Sequence, residues 1–70
     1  MMPICYADRE TPYLIKKIGG KSEVKTHLEN LGFHVGSQVS VINEIDGNLI
    51  IKVKETRVAV SSELAKKIMV

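Results

Sequence analysis

The chain has 70 residues, a single cysteine and a formal net charge of +2. That length holds one domain with one small core, a lone cysteine excludes an internal disulfide and suits a reducing compartment, and lysines spread along the chain do not form the basic stripe of a nucleic-acid binder. Hydrophobic residues make up 44% of the chain but aromatics only 4%, so the core must be built from Val, Ile and Leu, a composition that favours short strands around one centre. Asp8, Arg9 and Glu10 interrupt any apolar run at the N-terminus and no stretch is long enough to cross a bilayer. The expectation is a cytoplasmic protein forming a single domain over residues 1–70.

In chain order, "PICYA" (Pro3 to Ala7) alternates Ile4 and Tyr6 with smaller residues, and "PYLIKKI" (Pro12 to Ile18) is rich in β-formers behind a proline, so each predicts a strand. Gly19 and Gly20 break the second. Ser22 followed by Glu23 has the pattern of an N-cap with an acid in the first turn. Val24, Leu28 and Leu31 then recur at helical spacing, a narrow apolar stripe with Lys25, Glu29 and Asn30 facing outward. Gly32 is placed to stop this helix in a left-handed conformation, with Phe33 folding back on Leu28 as in a Schellman motif. Gly36 precedes the alternating "SQVSV" and is expected to supply a positive φ that turns the chain into a strand.

Val39 and Val41 share one face of that strand, which continues toward Ile45, and "DGN" (Asp46 to Asn48) signals a two-residue hairpin. In "LIIKVK", Leu49, Ile51 and Val53 point inward and Ile50, Lys52 and Lys54 outward. Glu55 and Thr56 turn the chain into "RVAVS", with Val58 and Val60 inward. "SSELAKKI" opens on a serine cap and is long enough for a turn or two of helix before "IMV" closes the chain as a strand paired with an earlier one. The pattern predicts a mainly β fold with one α-helix, a small SH3-like, partly open β-barrel of five to six short strands. An open α+β sheet with the helix on one face is the alternative.

No nucleophile elbow, phosphate-binding loop or HExxH is present, and the carboxylates are scattered, so enzymatic activity is not expected. Cys5, His27 and His34 are the candidate metal ligands, but the two histidines are separated by a helix end and Cys5 lacks a CxxC partner. No cofactor is required on this reading, and the residues leave room for a peripheral, low-affinity transition-metal site. Tyr6, Tyr13 and Phe33 are too few for the aromatic floor of a proline-peptide groove or the stacking platform of a single-strand binder. A chain of this kind acts by binding, and the surface chosen is the outer face of the helix and the loop after it, Lys25, Glu29 and His34, with the strand face of Ile50, Lys52 and Lys54 as the second choice.

The segments "PICYA", "YLIKKIGG", "HLENLGFHVGSQVSVI", "NLIIKV" and "RVAVSSELAKKIMV", in this order, resemble the ferrous iron transport protein A family over nearly the whole chain. Two departures stand out: Glu10 replaces a frequent glycine, and Val35 a frequent proline before Gly36. The resemblance implies an SH3-like accessory protein whose partner is the membrane ferrous iron transporter carrying a GTP-binding domain, reached from the cytoplasmic side. It extends to the SH3-like domain of metal-dependent repressors, but without a helix-turn-helix here DNA binding is not carried over. The runner-up is a small nucleic-acid-binding barrel, which salt-sensitive oligonucleotide binding would favour.

Overall fold

Alternating Val, Ile and Leu in the second half of the chain dictates strands with one buried face, and a computed structural model describing residues 1–70 shows them. The strands are β1 (Tyr13–Leu14), β2 (Lys17–Ile18), β3 (Gln38–Ile45), β4 (Asn48–Val53), β5 (Thr56–Ser61) and β6 (Ile68–Met69). The helix α1 (Ser22–Asn30) lies between β2 and β3, and the short α2 (Ser62–Ala65) between β5 and β6. One antiparallel sheet has the order β1-β3-β4-β5 and a second pairs β2 with β6. Both contribute to one core of fourteen buried residues, all hydrophobic, and the two sheets do not close into a barrel.

The meander follows the sequence closely. Ile45 pairs with Asn48 across Asp46 and Gly47, whose φ values of 50° and 79° are those of a type I′ hairpin turn. Leu49, Ile51 and Val53 are buried and Lys52 exposed, as the alternation requires, but Ile50 is half-buried rather than fully outward. The β4–β5 turn falls on Lys54 and Glu55, one residue earlier than expected, because Val53 pairs with Thr56. Ser61 caps α2 through its hydroxyl, which accepts from the Leu64 N–H at 3.3 Å.

Two expectations near the N-terminus are corrected. "PICYA" is not a strand but a 3-10 turn over Ile4–Tyr6, closed by Tyr6 N–H to Pro3 C=O and Ala7 N–H to Ile4 C=O. Pro3 has no N–H for a ladder, and the turn buries Ile4 completely while leaving Tyr6 71% exposed, so the two do not share a face. "PYLIKKI" is not one strand but two, β1 on β3 and β2 on β6. The chain switches sheets at Ile15, whose N–H bonds the Ser37 C=O while the next N–H, of Lys16, bonds the Met69 C=O. Ile15 itself is buried at this corner. The chain ends meet beside it, Met2 and Val70 exchanging two backbone hydrogen bonds of 2.8 Å.

The helix begins one residue earlier than its cap pattern indicates: Lys21 is the N-cap, with no side-chain cap bond, and Ser22 is the first helical residue. Its end is as expected. Phe33 N–H bonds the Leu28 C=O at 3.0 Å, Gly32 N–H bonds the Glu29 C=O at 2.9 Å, and Gly32 has φ 105°, which together form a Schellman motif. A Cβ on Gly32 would meet only Val53 at ordinary contact distance, so the constraint there is backbone conformation rather than space. Gly36 occupies the third position of a turn closed by Ser37 N–H to His34 C=O, with φ 91°, the type II geometry. Gly36 N–H also bonds the Ile15 C=O at 2.8 Å, tying this turn to the sheet-switching corner.

Two stability measurements test this backbone reading. Gly32→Ala is expected to cost about 1–2 kcal/mol in chemical denaturation through left-handed strain alone. Val35→Pro fills the second position of the type II turn, where proline is favoured and where the Val35 N–H makes no hydrogen bond, so it is expected to stabilise by about 0.4–1 kcal/mol.

Candidate functional site

The Schellman turn ends α1 over Val53 of β4, and the outer side of the helix and the loop after it lie beside the exposed lysines of the sheet-switching segment. Between them lies an open groove of about 360 Å³ lined by Lys16, Lys17, Ile18, Lys25, Glu29, His34 and Val35. The three residues chosen from the sequence on the helix and its loop, Lys25, Glu29 and His34, thus share one concavity. Lys25 and Glu29 are four residues apart on one helical face, and His34 Nδ1 lies 4.0 Å from Glu29 Oε2, both side chains about half exposed. Three lysines against one glutamate leave the groove cationic. Val35, 65% exposed, and Ile18 supply an apolar wall.

The sequence reading assigns none of Lys16, Lys17 and Val35 to a binding surface. The two lysines read as part of one continuous strand, and only its break at Ile15 turns them toward the helix. The adjacent Gly-Gly, which shortens the path from strand to helix, was the signal that they would lie beside it.

The second-choice residues lie on a different surface. Lys52 and Lys54 line a smaller groove of about 260 Å³ with Gln38, Val39 and Ser40, and Ile50 stands outside it. Arg57, directly across from Lys52 on β5, was not anticipated, because the turn was placed one residue late and the register with it.

The candidate metal ligands do not converge: no group of three or more His, Cys, Asp or Glu side chains could hold an ion. Cys5 is half-buried against the core, His34 is on the groove rim, and His27 is exposed on the helix. No helix is long and apolar enough to cross a membrane.

Against known proteins, the chain is 33% identical over its full length to a Methanocaldococcus jannaschii protein named for Fe(2+) transport as transport protein A, covering 85% of that protein. In fold it is similar to a crystal structure of an iron uptake regulatory protein, FeoA, with a TM-score of 0.87 at 22% identity over 96% of this chain and 89% of that one. It is similar also to the FeoA of Stenotrophomonas maltophilia, a prokaryotic SH3 domain protein solved with zinc, with a TM-score of 0.83 at 20% identity over 99% and 88% of the two chains. The expected SH3-like fold is therefore the observed one. The FeoA domain family model matches residues 2–70, and the chain belongs to that family.

Proposed function

We propose that this FeoA-family chain is a non-enzymatic accessory protein of ferrous iron transport that binds the cytosolic part of the membrane ferrous iron transporter, the part bearing its GTP-binding domain, through the groove between α1 and β2. The supporting observation is the convergence of Lys25, Glu29 and His34 with Lys16, Lys17 and Val35 on one cationic, partly apolar concavity. A groove of mixed charge with an apolar wall suits a protein surface: charges set approach and register, and the apolar residues add burial. By occupying one conformation of the transporter more tightly than another, such a module shifts its equilibrium without chemistry of its own. Binding of this kind places the protein at the inner face of the membrane with no segment of its own inserted.

The exchange Lys25→Glu with Glu29→Lys tests the surface. It preserves net charge and leaves an acid N-terminal to a lysine at i, i+4, an arrangement that supports the helix. Circular dichroism should be unchanged, and affinity for the transporter's cytosolic domain should fall by about tenfold or more, on the order of 1.4 kcal/mol. Unchanged affinity would remove this groove from the interface.

Iron is cargo for the transport system on this reading, and the folded chain needs no ion. A chelator should leave the thermal midpoint where it was, and added Zn2+ or Fe2+ should bind weakly. A tightly held stoichiometric ion in the monomer would contradict this.

A further inference from the structure

The outer face of the four-stranded sheet carries an arrangement that the transporter-binding groove does not use. The registers Ser40↔Lys52 and Lys52↔Arg57 put a hydroxyl and two cations in one row across β3, β4 and β5. Gln38, two residues before Ser40, shares that face. Like charges directly opposite each other in an antiparallel pair destabilise it. No carboxylate lies within ion-pair distance of Lys52 or Arg57: the chain's one ion-pair contact is His34 with Glu29, on another surface.

Lys54 adds a third cation, and at a conformational cost. It opens the two-residue β4–β5 turn with φ 57°, a backbone that favours glycine or asparagine. It nevertheless lines the same groove as Lys52, Gln38, Val39 and Ser40. Lys52 and Lys54, the latter on a strained backbone, line a concavity of about 260 Å³ with Gln38 and Ser40, and Arg57 stands opposite Lys52 on β5 outside that lining. Uncompensated local charge and local strain are the features expected where a ligand of opposite charge completes a site.

We propose that this face is a phosphate-binding site, in which Lys52, Lys54 and Arg57 receive a phosphate ester or diphosphate and Ser40 and Gln38 hydrogen-bond its oxygens. Three cations match the charge of two or more that a phosphate carries and a single carboxylate does not. Arg57 presents the planar fork that engages phosphate oxygens in pairs, and the lysines act as point charges. No aromatic side chain lines the groove to stack a base, so the recognised group is the phosphate itself. The phosphate can belong to a soluble metabolite or to a lipid headgroup; the chemistry at these side chains is the same.

Inorganic pyrophosphate is the probe, titrated into the full chain labelled with 15N. Amide shifts are expected to concentrate at Gln38–Ser40 and Lys52–Arg57, to weaken with salt, and to be absent with acetate at matched ionic strength. Lys52→Gln with Arg57→Gln should weaken binding by about tenfold or more while keeping or raising the thermal midpoint, since it removes a like-charge pair. Lys54→Gly should likewise raise the midpoint and weaken binding. A midpoint that falls in both variants would show that these side chains are structural and overturn the proposal. So would shifts centred on Lys16, Lys17 and Lys25, equal competition by acetate, or tighter binding of a single-stranded oligonucleotide through the same residues. Co-sedimentation with phosphatidylcholine vesicles containing phosphatidic acid, lost in the double variant, identifies a headgroup as the source; pyrophosphate binding without co-sedimentation identifies a soluble phosphate.

Discussion

The left-handed turn at Gly32 is the constraint on which the arrangement of the chain depends. It reverses the backbone at the end of α1 within two residues and drops Phe33, the largest fully buried side chain, beneath the helix. Truncating a fully buried phenylalanine costs about 3–5 kcal/mol, a large share of what a domain of this size can have. The same reversal leaves His34 and Val35 exposed on the other side of the turn, and Gly36 then bonds back to Ile15. One glycine conformation therefore fixes the helix end, the core's largest side chain and the rim of the candidate groove together.

The corner at Ile15 is the second half of that arrangement. Successive backbone groups there bond opposite sheets, so a short chain wraps two sheets around one core. The cost is that β1 and β2 are two residues each. Pairing of the chain termini through Met2 and Val70 holds the open side. With no polar side chain in the core, the charged residues are all at the surface, and what they can do is decided by which elements bring them side by side.

Where the pattern was long, it was legible. β3, β4 and β5 follow from period-two alternation and the Asp46–Gly47 signal, and the helix stop follows from Gly32 and Phe33, because each is set by local chemistry. The N-terminal segments misled because their short apolar runs carry no periodicity long enough to tell a strand from a turn or from a bend. Ile4 is buried by a 3-10 turn that alternation cannot encode, and the break at Ile15 exists only because Met69 and Ser37, distant in sequence, bond its two sides. The site was half legible for the same reason. Lys25, Glu29 and His34 lie on a helix face and its loop, whereas Lys16 and Lys17 join them through the corner. Glu10 has φ 59°, a conformation open to glycine, and Val35 is the turn position that favours proline, so the backbone at both positions suits the residues that the sequence resemblance leads one to expect there.

The two grooves divide the cationic surface into two candidate contacts, one beside the helix for a protein and one on the sheet for phosphate. The binding role of the helix groove is the central claim, and the footprint of the transporter's cytosolic domain on the 15N-labelled chain tests it most directly. Losses or shifts of amide signals concentrated at Lys16–Ile18, Lys25–Glu29 and His34–Val35, with the β4–β5 face silent, are the expected result. A footprint centred on β4 and β5, or none at concentrations where the transporter domain is known to be folded, would contradict it.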